Sequence, residues 1–105
     1  MGYRSEIVIA IDPTVYDNAS VSVKEALKEI FDEPTLEEAE RIVFSYDPIK
    51  WYESDPQIAI IENWLRSLDE AEYGLIELGE DYSDNRFEGE YWNYGLEFVR
   101  KVQFQ

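Results

Sequence analysis

The chain has 105 residues, 45% apolar and 15% aromatic, which is ample for the core of one domain and too apolar for disorder. It carries 24 acidic against 9 basic residues, a formal charge of −15, which argues against binding nucleic acid directly through a basic patch. There is no cysteine and no histidine, so disulfides, thiol catalysis, Cys-ligated zinc and imidazole acid–base chemistry are excluded.

Residues 5–12, SEIVIAID, read as a strand. Their near-continuous apolar run suits an interior strand covered on both faces. Pro13 is expected to end it, with PTVYDNAS a loop. Ser22 and Glu25 form a capping-box pattern before a helix of about ten residues. Val23, Ala26, Leu27, Ile30 and Phe31 fall on its buried face. Asp32-Glu33-Pro34 breaks this helix, and Thr35 with Glu38 repeats the pattern for one or two further helical turns, up to Glu40.

Residues 41–47 alternate, with Ile42, Phe44 and Tyr46 on one face and Val43 and Ser45 on the other, the signature of a strand. Asp47-Pro48 is expected to end it. Trp51 and Tyr52 then lie on a short extra strand at 49–52 or on a loop that lids the core. Ser54-Asp55-Pro56 is a strong helix start: Ser54 or Asp55 can accept from a free first-turn N–H, and Pro56 suits the first helical position. Ile58, Ile61, Leu65 and Leu68 share one helical face, widened by Ile60 and Trp64. Glu62, Asn63 and Arg66 are assigned to the wet side, and the helix is expected to stop near Asp69. Residues 73–79 read as a third strand, 80–90 as a charged loop, and 91–104 as a long strand or hairpin, with Gly95 at a bend or bulge.

The fold class is therefore α+β: a single domain over 1–105, with the order β-α-β-α-β-β. The sheet is expected to be mostly antiparallel, with four or five strands and two helices on one face. A ferredoxin-like arrangement is a sub-case if 49–52 pairs as a strand. The opening, where Arg4 runs straight into IVIAI, suggests neither a secretory signal nor a membrane span, and a cytoplasmic location is the expectation.

No residue of the sequence is assigned a catalytic, cofactor-binding or metal-binding role. Asp12, Asp47 and Asp55 stand near strand ends, where paired carboxylates can share acid–base work, but Asp-Pro turns and a helix cap account for each. Glu80, Asp81, Asp84, Glu88 and Glu90 form an oxygen-rich cluster of the kind that holds Ca²⁺ or Mg²⁺. The EF-hand template fails because Arg86 stands where its glycine belongs, and a solvated acidic loop is the simpler account. No glycine-rich phosphate loop is present. Trp51 and Trp64 are assigned to the core; for residues 91–94, core packing and surface binding stay equally open, and strand alternation sets Tyr91 and Asn93 opposite Trp92 and Tyr94.

The remaining signal is charge. Residues 69–90 hold nine acids and one base, Arg86, and 33–40 add four acids. Carboxylates on a rigid surface can imitate a phosphate backbone and attract a protein that uses Lys and Arg to hold nucleic acid. The candidate protein-binding residues are Glu72, Glu77, Glu80, Asp81, Tyr82, Asp84, Glu88, Glu90 and Trp92.

The MGYRSE opening, the IKWY block at 49–52 and the ELGED block at 77–81 resemble small uncharacterised acidic proteins of tailed bacteriophages and prophages. The resemblance implies a bacterial host cytosol and an accessory protein that binds and redirects a host protein, including defence nucleases and transcription components. The first expectation is thus a non-enzymatic protein that inhibits or modulates a host nucleic-acid-handling protein through a DNA-mimic-like face. Two alternatives stay open. One is a small-ligand or nucleotide sponge, or a hydrolase using carboxylates and a divalent metal, with an aromatic-lined pocket and Arg4, Arg41 or Arg100 turned inward. The other is a structural or assembly protein.

Overall fold

The strand Ser5–Ile11 (β1) is the axis of the molecule. The computed structural model describes residues 5–52, 54–79, 85–98 and 102–104. In it β1 pairs antiparallel with Ile42–Ile49 (β3) on one side and with Tyr73–Leu78 (β4) on the other. Leu36–Glu37 (β2) adds to the outer edge of β3, and Asn85–Gly89 (β5) to that of β4. The sheet order is β2-β3-β1-β4-β5. Pro13–Asp17 (α1), Val21–Phe31 (α2) and Pro56–Arg66 (α3) are the helices, and Leu96–Phe98 (β6) pairs with Val102–Phe104 (β7) as a separate hairpin.

Period-two alternation in β1 decides what lies where. Ile7, Ile9 and Ile11 point to the helix side, into a core with Leu27 of α2 and Ile58, Ile61 and Leu65 of α3. Val8 and Ala10 point to the other side, into a smaller core with Val43, Ile76, Tyr94 and Leu96. Ile7 through Ile11 are all buried, as the unbroken apolar run of β1 requires. Each buried isoleucine or valine among them contributes about 1.5–3 kcal/mol by leaving water.

From β1 to β4 the path β1-α2-β2-β3-α3-β4, with sheet order β2-β3-β1-β4, is the ferredoxin-like split βαβ arrangement, extended by β5. Its second strand comes from Leu36–Glu37, where a helical turn was expected. The Thr35 and Glu38 N–H groups donate to the Val43 and Arg41 carbonyls, both at 2.8 Å, so this segment folds back on β3 as a hairpin. Residues 50–52 take no regular structure.

Other boundaries depart from the sequence reading for local reasons. Asp12-Pro13 does not open a loop: Asp12 Oδ1 accepts from the Thr14 N–H at 2.9 Å and starts α1. The cap of α2 is Ser20, whose Oγ accepts from the Val23 N–H, so the helix begins before Ser22. Strand β3 does not stop at Asp47-Pro48. Its register shifts between Ser5↔Ile49 and Ile7↔Tyr46, so β3 spends one more residue than β1 there. Such a bulge is one of the few places where a strand tolerates proline. By contrast Asp55 caps α3 as expected, accepting from Gln57 and Ile58 N–H groups, with Pro56 at the first position.

Candidate protein-binding surface

Strand β5 lies within the stretch read as a charged loop. Its alternation puts Arg86 and Glu88 on the helix side and Phe87 on the other. Arg86 is directly opposite Glu77 of β4, and its guanidinium contacts Glu77 at 3.0 Å, Glu88 at 3.0 Å and Glu62 at 2.6 Å. Glu62 is the residue the sequence reading misplaced. It is 2% exposed, with Trp51 Nε1 donating to it at 2.6 Å. Burial pushes its carboxyl up, but the hydrogen bonds from Arg86 and Trp51 and the Arg86 charge outweigh that and hold it below the usual carboxylate range. For Glu77 burial prevails, and its carboxyl is raised despite the Arg86 charge beside it. This cluster is an internal brace between α3 and the far edge of the sheet. Two of the acids assigned to a binding face, Glu77 and Glu88, are bound into it.

The segment 91–94 is not a strand. Tyr91–Tyr94 forms a 3-10 turn closed by Gly95 at φ 72°, so Trp92 and Tyr94 do not share a strand face. The turn sits directly on the sheet: a Cβ on Gly74 would lie 2.4 Å from the Tyr91 Cα. Two further ties hold it. The Tyr94 hydroxyl donates to the Ala71 carbonyl at 2.7 Å, and Arg41, buried beside Glu38, donates to the Tyr94 carbonyl. Tyr94 is buried and Trp92 is 59% exposed. Phe87, Tyr91 and Trp92 form a chain of rings, with centroids 5.4 and 5.1 Å apart along it.

Carboxylates flank this turn. Glu90, which precedes it, accepts from Asn93 Nδ2, and its N–H donates to the Glu70 and Tyr73 carbonyls. Glu72 Oε1 accepts from the Asp69 N–H in the adjoining 3-10 turn Glu70–Glu72. Burial, with Asp12, Glu72 and Glu90 close by, pushes the Tyr94 hydroxyl up to about 12. Burial, with Glu88 and Glu70, raises Tyr73. Across the turn, a polar cleft of about 250 Å³ is lined by Glu38, Glu40, Arg41, Asn93, Tyr94 and Gly95. Of the residues singled out in the sequence, Glu72, Glu90 and Trp92 therefore meet around one turn, while Glu77 and Glu88 brace the core. Glu80, Asp81, Tyr82 and Asp84 lie outside the described residues, as do Arg4 and Arg100. Glu38 and Glu40 join the turn through a hairpin that the sequence reading took for helix.

Arg41 does turn inward, but onto Glu38 and a carbonyl rather than into an aromatic pocket. An aromatic-containing groove of about 270 Å³ lies elsewhere, lined by Tyr16, Val21, Pro34 and Phe44 and by the charged Lys24, Glu25, Lys28 and Asp32. Among the described residues no group of three or more carboxylates is arranged to hold a metal ion, and no helix is long and apolar enough to cross a membrane. No protein-family model, curated protein or solved structure matches this chain.

Proposed function

We propose that this chain is a non-enzymatic binding protein, a bacteriophage accessory protein that docks on a host nucleic-acid-handling protein and inhibits or modulates it through its acidic surface. The observation that carries this reading is the use made of two arginines. Arg41, just before β3, donates to the Tyr94 carbonyl, and Arg86 stands on β5, the strand that leads into the Tyr91–Tyr94 turn; both are committed to acceptors of the chain itself. In a chain of charge −15, this leaves Glu40, Glu70, Glu72 and Glu90 around a braced turn with an exposed indole. Such a field speeds encounter with a basic partner and is strongly screened by salt. The resemblance of the opening, IKWY and ELGED blocks to small phage proteins supplies the cellular setting.

The test is a pull-down from bacterial lysate at low and high salt, with and without competing DNA. A stoichiometric nucleic-acid-binding partner, lost at high salt or to DNA and lost again in the Glu70→Lys, Glu90→Lys double variant, supports the reading. No partner at low salt, or one indifferent to salt and DNA, overturns it. One feature favours the small-ligand alternative: the 270 Å³ groove combines Tyr16 and Phe44 with two lysines of α2. Saturable binding of an anionic aromatic dye, weakened by Lys28→Glu, is the result that reading predicts.

A further inference from the structure

The Tyr91–Tyr94 turn presents the exposed Trp92 indole from a fixed support. Gly74 lets the Tyr91 backbone rest on β4, Arg41 and the Tyr94 hydroxyl tie the other end down, and Tyr91 meets the Trp92 ring edge-on at 5.1 Å. A large indole held out to solvent on a locked turn loses little freedom when something covers it. Core packing does not account for it, since the residue is 59% exposed.

What covers it follows from charge. A second copy of this chain would bring the same acids against themselves, at −15 per chain, and like charges juxtaposed at an interface cost affinity. A basic segment meets the opposite situation. On one side of the turn, among the described residues, the cleft sets the carboxylates of Glu38 and Glu40 against one guanidinium, that of Arg41, an excess of one negative charge. On the other side stand Glu72 and Glu90, whose effect is already registered by the Tyr94 hydroxyl.

Resting on the acidic-surface reading above, we propose that this turn is a docking site for an arginine-rich segment of the partner protein. One guanidinium stacks on the Trp92 indole and another is drawn to Glu40. Arginine rather than lysine is selected because a planar, weakly hydrated guanidinium stacks on an aromatic face and forks onto a carboxylate, whereas an ammonium is a compact, strongly hydrated charge.

The experiment uses the full chain and a glycine-spaced arginine peptide, with a lysine peptide of equal length and charge. Binding is followed at low salt by the emission of Trp92, the most exposed of the three tryptophans, and by calorimetry for variants that lack it. The arginine peptide is expected to bind about two- to fivefold tighter than the lysine peptide. Trp92→Ala should erase that difference while both peptides still bind, Trp92→Phe should keep part of it, and Glu40→Gln should weaken the arginine peptide. Equal binding of the two peptides in the native chain, with no effect of Trp92→Ala, overturns this inference and leaves the acidic-surface reading standing. Failure of both peptides to bind at low salt overturns both. A concentration-dependent dimer that Trp92→Ala dissociates assigns the turn to a second copy and also overturns the inference.

Discussion

Trp51 Nε1 and Arg86 Nη2 donate to the same oxygen of Glu62, each at 2.6 Å. One buried carboxylate thus links the segment before α3, the helix itself and the edge strand β5. Removing its charge leaves the Arg86 guanidinium and the buried indole N–H sharing a weaker, neutral acceptor. Glu62→Gln is expected to cost about 2 kcal/mol in urea unfolding, toward the lower end for a charged hydrogen bond, because Arg86 keeps Glu77 and Glu88. Replacing both members, Glu62→Leu with Arg86→Leu, should cost less than the sum of the two single changes, since a well-packed apolar pair can substitute for a buried ion pair.

The same cluster gives two opposite pH dependences. Glu62 is held below its ordinary value of 4.5, so its contribution is present above that value and is lost as pH falls through the folded-state pKa. Glu77 is raised above 4.5 by burial; the folded state binds its proton more tightly than the unfolded chain, so stability falls as pH rises through that window. Glu77→Gln should therefore raise stability at pH 7, with its advantage shrinking as pH falls toward 4.5 and gone below it, whereas the Glu62→Gln penalty should vanish in strong acid. Urea midpoints of both variants across pH 3–7 check the two signs.

The seat of the exposed indole is tested at Gly74. An alanine there would place its Cβ 2.4 Å from the Tyr91 Cα, against backbone that cannot swing aside. Gly74→Ala should cost about 1–3 kcal/mol as an overpacking change. It should also shift Trp92 emission and weaken partner binding, although residue 74 itself is buried beneath the turn.

Asp32 supplies a stabilising change. It sits at φ 66°, ψ −71°, with the Glu33 N–H donating to the Phe31 carbonyl at 2.8 Å, the geometry of a γ-turn that side-chain-bearing residues rarely adopt. Relief of strain of about 1–3 kcal/mol, less the flexibility glycine adds to the unfolded chain, predicts that Asp32→Gly raises stability by about 1 kcal/mol. A higher melting temperature with an unchanged far-ultraviolet spectrum checks it.

How much of this was legible in the sequence varies by element and has physical reasons. The apolar run of β1, the Asp55-Pro56 start of α3 and the alternation around Phe44 each follow from a local rule, and the structure obeys them. Glu62 was also within reach. Ile58, Ile61, Glu62 and Leu65 occupy the first, fourth, fifth and eighth places of one helical stripe, and the lone base in the acidic stretch, Arg86, was the partner to look for. Charge alone pulled the reading to the wet side. The same Asp-Pro signature that starts α3 also starts α1, whereas Asp47-Pro48 sits in a bulge; only the pairing of β1 decides between these outcomes. The two-residue strand Leu36–Glu37 is too short to carry any period and exists because β3 offers it an edge. The YWNY turn reads as a strand until the positive φ of Gly95 and the close seat on Gly74 are known.

The central place of β1 has a consequence for synthesis. Both its partners come later in the chain: β3 begins at Ile42 and β4 at Tyr73. This apolar strand is therefore made before either partner, and the edge that receives β4 stays open until Tyr73–Leu78 follows. Such edges invite association between neighbouring nascent chains. The acidic excess opposes that encounter through long-range repulsion, so the carboxylates that crowd the finished surface also keep unfinished copies apart.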